Sequence, residues 1–193
     1  MDEAARRLKR ALEKNLADLS NGVLKRRAYN SFMALKSAHS LDFFRVAMHA
    51  LHNDLYADAH RVFDTHRDTA SICYIRRVAP AAFERAVKAA GVSVAELEAI
   101  AAKLNYIRDR IQFHTDKRDV VEPSAAWKHA GLTGNEFIRL TEQSHEVLRL
   151  MYLELTGEDK PIPDYHGNDI EDILRSYKEQ HPNAPLSVRS RKP

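Results

Sequence analysis

Cysteine is nearly absent from this chain. A single Cys73 among 193 residues removes any intramolecular disulfide framework and any cysteine-based zinc site. Its neighbours Ile72, Tyr74 and Ile75 predict a buried, inert thiol. Glycine is scarce as well, with six in all, and β-branched runs are few, which argues against a sheet. No stretch approaches the ~18 uninterrupted apolar residues of a membrane span. Met1-Asp2-Glu3 leads into charged helix rather than an apolar run, so it does not read as a secretory signal, and a cytoplasmic location is expected. Neither charge sign dominates: 30 Lys and Arg against 27 Asp and Glu leave a formal charge of +3, which permits nucleic-acid binding without demanding it. There is no G-x-S-x-G elbow and no G-x-x-x-x-G-K-[ST] loop, and a helical chain offers no strand to support either, so nucleotide hydrolysis by a P-loop mechanism is excluded.

What is present is helical periodicity, in a chain 44% hydrophobic and 30% charged and long enough for one well-cored domain. The expected fold is all-α, an antiparallel bundle of four to five main helices with short accessory helices and a polar tail. Ala4, Leu8, Ala11, Leu12, Leu16 and Leu19 lie on one side of a helix over 3–19, with Asn21-Gly22 as its stop. A second helix is expected over 23–38. Ser40 can cap a third over 41–63, with Phe44, Met48, Leu51, Leu55 and Val62 as its buried stripe. Short helices follow at 71–78 and from Pro80 to Gly91. The segment 119–131 reads as a short helical turn. Thr133 and Glu136 form a capping box for a helix that stops at Gly157. Pro161, Pro163, Pro182 and Pro185 break up the remainder, with one helix at 168–179. The bundle is therefore assigned to 1–157 and a polar extension to 158–193.

The segment richest in chemistry is the end of the helix that starts after Ser93, whose capping box with Glu96 fixes its beginning. Val94, Leu97, Ile100, Ala101, Leu104, Ile107 and Ile111 recur at three- and four-residue steps and form one stripe. Arg108 falls inside that stripe and His114 at its opposite edge, while Lys103 and Arg110 point to water. An arginine on a core-facing stripe needs a partner or a cleft. One reading lays its stem along the core and sends the guanidinium to Asp109 or Asp116. The other is functional: arginine is a fixed cation suited to a phosphate, and histidine moves protons near neutral pH.

Arg108-Asp109-Arg110-Ile111-Gln112-Phe113-His114, continued by Thr115-Asp116-Lys117, resembles the R-x(4 to 6)-H signature of the HEPN superfamily. Upstream, Ala50-Leu51-His52-Asn53-Asp54, Arg61-Val62-Phe63-Asp64 and Asp68-Thr69-Ala70-Ser71 are similar to its abortive-infection branch, and the likeness spans about 24–155. The resemblance implies a helical bundle that dimerises and acts as a metal-independent endoribonuclease, a toxin or phage-defence effector. Arg108 would hold the scissile phosphate, His114 would move a proton and Asp109 would orient one or both, with no cofactor. Some toxins of the superfamily carry a tyrosine two residues after the histidine, which a partner modifies; Asp116 stands there in this chain, which puts that form of control in doubt. A neutralising antitoxin remains an open alternative, as does an inert dimer that binds RNA or a protein.

Six residues of ideal helix set two side chains roughly 120° apart. Either the helix loosens before His114 or two chains share one site, and the two-fold dimer is the reading taken. Of the basic clusters, Arg6-Arg7, Lys25-Arg26-Arg27, Arg76-Arg77 and the tail read as solvated faces. Lys117-Arg118, with Arg110, is expected to follow an RNA backbone. His49, His52 and His60 share a helix face, and Glu142-Gln143-Ser144-His145 has the E-x-x-H spacing of a di-iron bundle. Only one such motif is present, so no metal is assigned, and the three histidines are read as surface or dimer-seam residues.

Overall fold

A computed structural model of the chain describes residues 2–34, 42–112 and 123–183. All of its regular structure is helical, and no strand occurs among the described residues. The elements are α1 (Glu3–Ala34), α2 (Asp42–Val62), α3 (Ile72–Val78), α4 (Pro80–Ala90), α5 (Val94–Ile107), a π-helical turn (Arg108–Gln112), α6 (Pro123–Ala130), α7 (Gly134–Thr156) and α8 (Asn168–Gln180).

The long helix α1 is the spine. It packs along α2 and α7, while α4 and α5 lie against α7. Asp2 opens α1 by accepting from the Ala5 amide at 2.7 Å, as an N-cap does. Leu12, Leu16, Leu19 and Val23 are buried at three- and four-residue steps, which ties the helix to the core along its first two thirds. Asn21-Gly22 does not stop it. The apolar stripe passes through that pair from Leu19 to Val23, and packing overrides the local turn signal. The two helices expected over 3–19 and 23–38 are therefore one, as far as Ala34. Gly22 is buried against α2, where a Cβ would lie 3.9 Å from the Cβ of Asp58.

Most other helix limits fall where caps and glycines put them. Thr133 and Glu136 form the expected capping box, and Gly157 ends α7 with φ 76°, a conformation that costs a side-chain-bearing residue energy. The core joins Leu12, Ile75, Leu104, Leu140 and Leu148 from four helices. A smaller cluster lies apart from it, where Ile170 and Leu174 of α8 bury against Phe32, with Phe44, Met48 and Leu51 of α2 alongside. The first half of the expected α2 stripe thus packs under α8, and only Leu55 and Val62 of it are fully buried. Cys73 is exposed, contrary to expectation, because Ile72 and Ile75 take the inward positions of α3 and leave Cys73 off that face.

The Lys25-Arg26-Arg27 cluster is not a solvated face either. Lys25 bridges Asp54 and Asp58 of α2, and Arg26 holds Glu142 of α7 at 2.8 Å. No helix among the described residues is long and apolar enough to cross a membrane.

Candidate functional site

The motif helix begins as expected, with Ser93 accepting from the Glu96 amide. Leu97, Ile100, Leu104 and Ile107 are buried and press α5 onto the bundle. At Arg108 the winding changes, and residues 108–112 form a π turn that touches α6. Such turns are rare and often occur where a side chain must be aimed. The helix therefore does loosen ahead of His114. His114, Lys117, Arg118 and Asp116 lie outside the described residues.

Arg108 is three-quarters buried, its side chain 22% exposed. Its Nε donates to Asp109 Oδ1 at 2.8 Å, and its Nη1 stands 3.6 Å from Asp64 Oδ1. The stem follows the core and the guanidinium leans into a niche between two carboxylates, which resolves the cost of a cation at the core margin. Asp109 was legible as a partner from its adjacency. Asp64 was not, since it reaches the site from the turn after α2 and nothing in the local spacing marks it.

The geometry limits what this cluster can do. With both acids ionised, one guanidinium against two carboxylates carries a net −1, so a phosphate approaching Arg108 must displace one of them. Asp64, beyond the roughly 3.2 Å limit of a good hydrogen bond, is the looser of the two. Asp109, bonded directly to Nε, is placed to keep the guanidinium oriented when Asp64 yields.

Arg110 and Lys103 do not simply point to water. The Arg110 guanidinium carbon lies 4.9 Å from the centre of the Tyr106 ring, a cation–π distance, and Tyr106 stacks on His129 of α6 at 5.2 Å. Lys103 donates to Glu136 Oε1 at 2.7 Å and to the Gly131 carbonyl at 3.2 Å. The Lys103 ammonium and the Thr133 amide together hold the Glu136 carboxyl down at about 2.

The remaining histidine candidates separate. His145 is buried, with Nε2 3.0 Å from Ser20 Oγ, and burial lowers it to about 4, whereas Glu142 is committed to Arg26. The E-x-x-H pair thus serves the contact between α1 and α7. His49 is exposed, His52 lies between the rings of Tyr29 and Tyr56, tilted against both, and His60 is buried, so the three do not share one role and His60 is no surface residue. Among the described residues no three His, Cys, Asp or Glu side chains stand together as a metal would need.

No curated protein and no solved structure matches the chain. A family model does: AbiU2, a HEPN family, matches residues 1–175. That span takes in the arginine motif, the Asp64 turn that meets it and most of α8, and on it the chain belongs to the AbiU2 family of HEPN proteins.

Proposed function

We propose that this protein is a metal-independent endoribonuclease of the HEPN type, acting in the cytoplasm as a toxin or abortive-infection effector against phage. The active form is a two-fold dimer in which Arg108 and His114 of the two motif helices share one cleft. The supporting observation is the Arg108 guanidinium, oriented by Asp109 and loosely held by Asp64 at the first residue of a π turn.

In the reaction, the RNA 2′-hydroxyl attacks the adjacent phosphorus. The O2′–P bond forms as the P–O5′ bond breaks, leaving a 2′,3′-cyclic phosphate and a 5′-hydroxyl. Arg108 takes the charge that gathers on the non-bridging oxygens, and His114 moves a proton between the attacking and leaving oxygens. Lys117, Arg118 and Arg110 follow the strand beyond the cleavage point.

A second reading is favoured by the two carboxylates themselves. A guanidinium neutralised by Asp64 and Asp109 also suits an inert helical dimer that binds RNA or a protein partner. Wild type, Arg108→Ala and His114→Ala are to be compared on single-stranded RNA in EDTA. The nuclease reading expects cleavage by the wild type and losses of roughly a hundred- to a thousandfold in each variant. Persistent cleavage in the His114 variant, or none by the wild type, rejects it.

A further inference from the structure

Beside the motif lies a cavity of about 280 Å³ between α3, α4 and α5. Its walls are apolar, from Phe63, Ile72, Phe83, Val94, Leu97 and Ala101. Ligand pockets run from roughly 300 to 1,000 Å³, so this one has room for a single ring system rather than a long chain. At the rim Arg76 of α3 and Glu98 of α5 form an ion pair, and the exposed Cys73 also contributes to the lining.

Two polar atoms in the lining stand out against that apolar wall. Ser144 is fully buried and its Oγ has no hydrogen-bond partner among the described residues. The same holds for Asn105 Oδ1. A buried polar atom left unsatisfied is costly, and an occupant bringing a donor and an acceptor relieves that cost. A purely aliphatic ligand would not.

The position of the cavity adds a third constraint. Asn105 lies three residues before Arg108, nearly a full turn, which is roughly 4.5 Å along the axis. Phe63 and Thr65, both in the lining, flank Asp64, which reaches Arg108. An occupant of the cavity can therefore extend an anionic group to the same arginine. A flat ring with a polar edge, tethered to a phosphate, is a nucleotide.

We infer that this cavity is a nucleobase pocket, taking an unstacked amino-bearing base, adenine or cytosine, from the nucleotide whose phosphate meets Arg108. The exocyclic amino group donates to Asn105 Oδ1, and the neighbouring ring nitrogen accepts from the Ser144 hydroxyl. Uracil and guanine offer a carbonyl and a ring N–H there, the reverse order. Apolar walls with a few polar atoms at the base edge are how flipped and single-stranded bases are read. The inference rests on the nuclease reading for its purpose, since the pocket would set base preference beside the cut.

Cys73, as the sole cysteine, makes occupancy measurable without cleavage. The rate of its alkylation by N-ethylmaleimide is to be followed in the full chain with millimolar AMP, CMP, UMP, ribose 5-phosphate or indole. AMP and CMP should slow labelling several-fold, while UMP and ribose 5-phosphate change it little. Ser144→Ala removes one hydrogen bond at nearly constant volume. It should raise the AMP concentration needed for protection roughly five- to tenfold, with its unfolding midpoint not lowered. Asn105→Ala should act in the same direction.

Absence of protection by either amino-bearing nucleotide overturns the proposal. So does equal protection by ribose 5-phosphate, or protection by indole alone, which would mark a site for apolar ligands. A protein that cuts RNA without nucleotide protection of Cys73 loses the pocket and keeps the nuclease. One that shows protection but never cuts loses the nuclease and keeps the pocket.

Discussion

His145 makes the packing of α7 on α1 depend on pH. Its ring is 2% exposed, with Nε2 at 3.0 Å from Ser20 Oγ. Burial holds it at about 4, partly offset by Glu146 and Asp159. An unfolded histidine titrates near 6.5. Above that value both states are neutral and the full stability is present. As pH falls from 6.5 toward 4, the unfolded chain takes up a proton that the folded chain refuses, so stability is lost at up to about 1.4 kcal/mol per pH unit. Over the window the loss is on the order of 3 kcal/mol, a sizeable part of the roughly 5–15 kcal/mol typical of a domain. The assay is urea unfolding at a series of pH values from 7.5 to 4.5, for wild type and His145→Gln. Glutamine can keep a hydrogen bond to Ser20 and does not titrate. Other buried groups are shifted as well: burial lowers His52, and it raises Asp58, which acts in the opposite sense. Both remain in the variant, so the difference between the two curves isolates His145. Wild type should lose about 2–3 kcal/mol more than the variant between pH 7.5 and 4.5. Parallel curves would mean that the ring protonates in place, and the account of a buried neutral imidazole would be refuted.

Other outcomes follow from single contacts. Replacing Asp64 with Asn removes the looser competitor for Arg108, so RNA affinity at low salt should rise several-fold and the gain should fade at high salt; weaker binding would mean that Asp64 belongs to the clamp. Arg110→Ala should weaken RNA binding in a salt-dependent way, while Arg108→Ala should remove turnover; equal losses of turnover in a cleavage assay would assign the clamp to the wrong arginine. Gly22→Ala should stabilise the protein by about 0.5–1 kcal/mol, because the added methyl meets Asp58 only at ordinary contact distance; a lowered melting temperature would show that the glycine breaks the helix. Leu104→Ala, at a fully buried position, should cost about 2–5 kcal/mol in denaturant unfolding.

The parts of the fold legible in the sequence are those encoded locally. The Thr133 and Ser93 caps, Pro80 at a helix start and Gly157 at a helix end are fixed by residues within a turn of one another. At Asn21-Gly22 a two-residue turn signal competes with the apolar stripe running through it, and the stripe prevails. Leu16, Leu19 and Val23 keep the helical step, and continuing the count would have joined the two helices. Cys73 is exposed for a related reason, since its apolar neighbours Ile72 and Ile75 take the inward side of a short helix. The site divides the same way. That Arg108 needs a partner followed from its place among Leu104 and Ile107, and Asp109 lies next to it in the chain. Asp64 comes to Arg108 from the turn after α2, and Ser144 of α7 joins Asn105 of α5 in one cavity lining, neither juxtaposition being local in the sequence. No periodicity in one helix records a contact with another, so a cation on an apolar stripe announces that an acid or an anion must exist without saying which. In this chain the reply comes partly from Asp64, a carboxylate loose enough to leave, and under the nuclease reading a phosphate is the anion that takes its place.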